Sequence, residues 1–156
     1  MILYKTAFKD YIRTYINMSN NGTNETNGSK SNTGMEVGVE KNNRIEIIKR
    51  DEFKKYLKEN KFVVVKVSAT WCNPCKQIAP FVEECFNKLQ GVKLVYVDAD
   101  LGFDVYNSLK IKSLPTIYSF VEGMPYEVVV GASQTEVADL FLKMAHRVFN
   151  ELTEED

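Results

Sequence analysis

Apolar side chains recur at regular intervals only from Arg44 onward, and there the pattern switches repeatedly between two periods. Ile45, Ile47 and Ile48 predict a short first strand, and Asp51 opens a helix in which Phe53, Tyr56 and Leu57 return at spacings of three and four. Residues 62–68 read as a buried strand, because the β-branched run Val63-Val64-Val65 suits a central position covered on both faces. Only Lys66 interrupts it. A helix follows from Cys72, with Ile78, Val82, Cys85, Phe86 and Leu89 as its sheet-facing stripe and Gly91 as its end. Pro80 lies inside it and removes the bond to the carbonyl of Lys76, which predicts a kink. Residues 92–98 alternate as a strand, and 102–109 form a short helix. Residues 117–121 and 126–130 read as an antiparallel hairpin, with Glu122-Gly123-Met124-Pro125 as its turn. Ser133 and Glu136 form a capping box for a last helix with Val137, Leu140, Phe141, Met144 and Val148 on one face, and residues 151–156 read as a frayed acidic end.

This order predicts an α/β fold, a central mixed β-sheet flanked by helices on both faces. Parallel neighbours joined through helices place the turn at Cys72 at the carboxyl end of a strand, where ligands usually bind in such sheets.

The first 43 residues behave differently. Residues 1–18 place Phe8, Tyr11, Ile12 and Tyr15 at helical spacing, with Lys5, Lys9 and Arg13 on other faces, and read as a short amphipathic helix. Charge interrupts the apolar residues too often for a secretory signal; a targeting or membrane-surface role and a disordered extension both stay open, as does a start at Met18 or Met35. Residues 17–43 are rich in Asn, Gly, Ser and Thr with almost no large apolar side chains, and read as a flexible linker. Their N-glycosylation triplets, such as Asn21-Gly22-Thr23, arise readily in such a composition. The chain thus divides into an extension, 1–43, and one domain, 44–156.

Charge and composition narrow the function by exclusion. A formal net charge of -1 makes no case for nucleic acid, and no apolar run reaches the roughly 20 residues of a membrane helix. Three cysteines in 156 residues are too sparse for a disulfide scaffold and favour a reducing, cytoplasmic compartment. Nothing demands more than a monomer.

The chemistry concentrates in Trp71-Cys72-Asn73-Pro74-Cys75-Lys76. A strand before a Cys-x-x-Cys pair and a helix after it favour a dithiol redox site, because helix N–H groups and the positive dipole end stabilise a thiolate at Cys72. Cys75, one turn on, is placed to attack the mixed disulfide that Cys72 would form. The competing reading is half of a zinc site, for which the only other ligands would be Cys85 and His146. Cys85 falls on the apolar stripe and reads as a buried, inert thiol.

The run from Trp71 to Pro80, together with Leu114-Pro115-Thr116 and Gly131-Ala132 after the hairpin, resembles the thioredoxin family over residues 44–150. The resemblance implies a thioredoxin-like fold with Cys72 as attacking thiol, Cys75 as resolving thiol and Pro115 as a cis-proline beside them. It also implies a substrate surface built from Trp71, Leu114, Thr116, Gly131 and Ala132, with no bound cofactor or metal. Disulfide-containing proteins would be the substrates, and a thioredoxin-reductase-like partner the electron donor. Two departures stand out. Asn73 occupies a position where the family usually has Gly, and Lys66 one where it commonly buries an acid that helps deprotonate the resolving thiol. A neutral Lys66 would be a candidate base toward Cys75; alternatively its ammonium reaches solvent and takes no part. The resemblance favours a protein-disulfide reductase. An oxidase or isomerase of an oxidising compartment and a redox-independent docking module are the alternatives.

Overall fold

The computed structural model describes Asp10 and residues 42–154. The amphipathic stretch expected over 1–18 and the linker over 17–43 lie outside the described residues, apart from Asp10, Asn42 and Asn43. Element order from there is β1 (Arg44–Glu46), α1 (Arg50–Glu59), β2 (Phe62–Ser68), α2 (Asn73–Asn87), β3 (Lys93–Asp98), α3 (Phe103–Ser108), β4 (Thr116–Val121), β5 (Met124–Val130) and α4 (Gln134–Glu154).

The strands form one sheet in the order β1-β3-β2-β4-β5, with β1 and β2 parallel to β3, and β4 antiparallel to both β2 and β5. Strand β2 is central, and its alternation sorts the core. Val64, Leu94 and Ile117 face α2 and α4, where Ile78, Phe81, Val82, Leu140, Phe141 and Met144 close over them. Val63, Val65, Val67 and Val95 face the other way, against Phe53, Tyr56 and Leu57 of α1 and Val105 of α3. Both faces of β2 are therefore dry, which is why its sequence is almost uniformly branched and apolar.

Several boundaries differ from the sequence expectation for local reasons. Helix α2 continues through Pro80 and ends at Asn87, four residues before Gly91, because the Lys88 and Leu89 N–H groups turn back to the carbonyls of Cys85 and Phe86. The hairpin is tighter than expected. Glu122 and Gly123 both adopt positive φ, 52° and 78°, which is the two-residue geometry whose twist matches the flanking strands. Met124 and Pro125 accordingly belong to β5, and the proline is tolerated because β5 is an edge strand with an irregularity opposite Ser119 and Phe120. The capping serine holds: Ser133 Oγ accepts from the Glu136 N–H at 3.3 Å, and α4 runs on to Glu154 rather than fraying from Glu151.

Candidate active site

The end of β2 and the end of β3 lie side by side, joined where the Ala99 N–H donates to the Ser68 carbonyl at 2.8 Å. Beyond Ser68 the chain turns tightly, with the Cys72 N–H on the Ala69 carbonyl, and enters α2. Cys72 is the N-cap of that helix. Its backbone is extended (φ -87°, ψ 105°), and its sulfur accepts from the Cys75 N–H at 3.3 Å. Pro74 sits in the first turn, where its missing N–H costs nothing. Cys72 and Cys75 form a disulfide with their Cα atoms 5.3 Å apart, and Ala69 and Ala99 pack with the pair while Leu114 and Tyr106 lean against it.

The two sulfurs are not equivalent. Both residues are buried, at 5% and 3% exposure. Yet a groove of about 590 Å³ is lined by Cys72 with Trp71, Pro74, Phe103, Tyr106 and Leu114, and Cys75 is not part of its wall.

Trp71 stands 66% exposed at the rim, and its indole N–H donates to Asp100 Oδ2 at 2.9 Å. Asp98 makes this possible by accepting the N–H groups of Asp100 and Leu101 on one carboxylate oxygen, which turns the chain after β3. Asp98 is thus the ordinary strand-end carboxylate that its position suggests. Asp100 orients the tryptophan.

The remaining site candidates surround the opposite wall. The Leu114–Pro115 bond is cis, and the Pro115 carbonyl accepts from the Gly131 N–H at 2.8 Å. Gly131 has φ +99°, a conformation that L side chains rarely adopt, although a Cβ there would meet nothing within 4 Å. Ala132 is exposed. Thr116 is buried, and its hydroxyl donates back to the Ser113 carbonyl at 2.6 Å, which holds the loop rather than facing the groove. Of the residues singled out in the sequence, Trp71, Cys72 and Leu114 meet in the groove wall; Lys66, Cys75, Pro115, Thr116, Gly131 and Ala132 lie outside it.

Lys66 is buried, at 7% exposure, on the sheet face covered by α2 and α4. It stands between Tyr96 of β3 and Ile117 of β4, with its Nζ 5.7 Å from the centre of the Tyr96 ring. Glu83 of α2 accepts from the Tyr96 hydroxyl and pairs with Arg44 at 2.9 Å. Desolvation pushes the Lys66 pKa below its ordinary value, and the nearby Glu83 charge opposes that shift. The ammonium is therefore not simply hydrated at the surface. The third cysteine, Cys85, is fully buried on the core stripe, and its thiol is pushed up to about 12 by burial, with Glu84 adding to the effect.

A family model for thioredoxin matches residues 44–144, the whole of the stretch that carries the sheet, the dithiol and Pro115. The chain belongs to the thioredoxin family. Thioredoxin 1 of Plasmodium falciparum is 34% identical over 94 residues, covering 60% of this chain and 90% of that protein. Thioredoxin-2 of Pyricularia oryzae is 32% identical over 138 residues, 88% of this chain and 77% of its own length. The solved structure of reduced thioredoxin pre-protein from Schistosoma mansoni superposes with a TM-score of 0.60 at 35% identity, over 65% of this chain and 97% of the other. With its cysteine pair at bonding distance, this member of the family is a dithiol thiol-disulfide oxidoreductase, a protein-disulfide reductase. Its family implies disulfide-bearing protein substrates and a reductase that supplies electrons. Among the described residues, no helix is long and apolar enough to cross a membrane.

Proposed function

We propose that Cys72 is the attacking thiol and Cys75 the resolving thiol of a protein-disulfide reduction cycle. The observation that carries this assignment is the asymmetry of the pair: Cys72 caps α2 and forms part of the groove wall, whereas Cys75 lies behind it. In the reduced protein the Cys72 thiolate, stabilised by helix N–H groups, displaces one sulfur of the substrate disulfide. The first substrate thiol leaves and takes up a proton. Cys75, once deprotonated, attacks Cys72 and releases the second substrate thiol, so two electrons pass to the substrate and the Cys72–Cys75 bridge remains.

In this reading Leu114, Gly131 and Ala132 border the path of an extended substrate segment, with Trp71 at its rim. The Pro115 carbonyl accepts from the Gly131 N–H and the Thr116 hydroxyl donates to the Ser113 carbonyl, so both groups help to hold the wall. Lys66 governs the proton that Cys75 must lose. Its burial favours the neutral amine, which is the form able to accept a proton. The electron donor is a thioredoxin-reductase-like partner, the working form is a monomer in a reducing, cytoplasmic compartment, and residues 1–43 are an extension to a domain that begins at Arg44.

Cys75→Ser and Cys72→Ser variants test the assignment against a disulfide-bonded target protein. With Cys75→Ser a mixed disulfide through Cys72 accumulates on a non-reducing gel; with Cys72→Ser it does not. Trapping through Cys75 instead, or full activity in both variants, contradicts the proposal.

A further inference from the structure

The groove carries more apolar surface than the dithiol chemistry uses. Phe103 is 59% exposed and, with Trp71, lines the groove beside Cys72. Phe103 opens α3, whose contribution to the core is Val105, wholly buried two residues later. Phe103 is not needed for that anchoring. It stacks instead on Tyr106, with ring centroids 6.2 Å apart and planes 18° from parallel, and both rings line the groove that contains Cys72. A stacked pair with its outer ring open to solvent forms a flat apolar wall beside the reacting sulfur. Such surface is costly to leave wet and marks a contact site.

The occupant follows from continuity. Whatever lies against Phe103 shares a groove with Cys72, so it belongs to the segment of the substrate protein that bears the disulfide. We propose that Phe103, stacked on Tyr106, selects substrates in which a bulky apolar or aromatic residue adjoins the reacting cysteine. This inference rests on the reductase reading and adds to it a substrate class and a specificity-determining residue. The electron transfer is unchanged; only the affinity for the flanking side chain differs.

The test is a single-turnover experiment on the full chain, reduced beforehand and freed of reductant. Two symmetric peptide disulfides serve as oxidants, identical except that the cysteine is flanked by Phe on both sides in one and by Ser in the other. Oxidation is followed by fluorescence of Trp71, the only tryptophan. The expected result is a Phe-over-Ser rate ratio of about threefold to tenfold, the scale of one aromatic contact. In Phe103→Ser that ratio falls toward one, with the melting temperature of the variant showing that the domain stays folded. A ratio near one in the natural sequence overturns the proposal. So does a ratio that survives Phe103→Ser in a folded protein, because Phe103 would then be serving α3 alone. Failure of both peptides to oxidise the protein would instead contradict the reductase reading beneath it.

Discussion

Lys66 is a lysine buried in the central strand, and its surroundings determine how it titrates. A lysine whose pKa is lowered in the folded state binds fewer protons there than in the unfolded chain, so its burial costs stability at neutral pH. That cost is relieved as pH rises from the lowered folded pKa toward the ordinary 10.5. Lys66→Met should therefore stabilise the domain at pH 7 by about 1 kcal/mol or more, as replacement of a buried charge often does, with the gain shrinking as pH approaches that of the free amine. Urea denaturation at several pH values measures it. The same variant should lose the alkaline-side pH dependence of disulfide exchange, and unchanged rates across pH would reject a catalytic role for Lys66. Cys85 makes a simpler prediction. With its thiol pushed up to about 12 inside a closed core, mass spectrometry after native alkylation of the reduced protein should find Cys72 modified and Cys85 untouched until the chain is unfolded. Cys72, Cys75 and Cys85 were readable from local pattern, since spacing and stripe position are sequence properties. The Trp71–Asp100 bond was not, because the partners lie 29 residues apart and meet only through the turn at Asp98.

Among the elements, the ends were harder to read than the interiors. The nearly continuous apolar run of β2 and the stripe on α2 identify buried positions directly, because a central strand covered on both faces selects apolar side chains, with Lys66 the exception. The hairpin turn was set too long, since Met124-Pro125 reads as turn chemistry until β5 is known to be an edge strand. Helix α4 allows a comparison of a cap with a core contact. Ser133→Ala removes the acceptor for the Glu136 N–H and should cost about 1 kcal/mol. Phe141, wholly buried between α4 and the sheet, should cost roughly 3–5 kcal/mol on truncation to Ala. Denaturant midpoints at constant m-value would check the ratio; equal costs would mean that α4 is held by its ends rather than by its face. The aromatic wall of Phe103 and Tyr106 gave no periodic signal either, as a helix of six residues is too short to show which side faces the core.

For the molecule as a whole, the redox site is assembled from the ends of β2 and β3, the start of α2 and the loop before β4, all within the stretch that matches the family. A chain beginning at Asn42, which keeps the bond from the Leu94 N–H to the Asn43 carbonyl, should fold and retain disulfide-reductase activity within about twofold. Loss of activity in that shortened chain would show that residues 1–41 belong to the catalytic unit. The most direct test of the central claim is the equilibrium reduction potential of the Cys72–Cys75 pair in glutathione redox buffers, followed by Trp71 fluorescence. A dithiol reductase predicts a value of about -270 mV, the reference value for thioredoxin itself, below a cytosolic glutathione poise of about -220 to -260 mV. A potential near -120 mV, typical of a strong dithiol oxidant, or failure of the pair to cycle reversibly, would contradict the account.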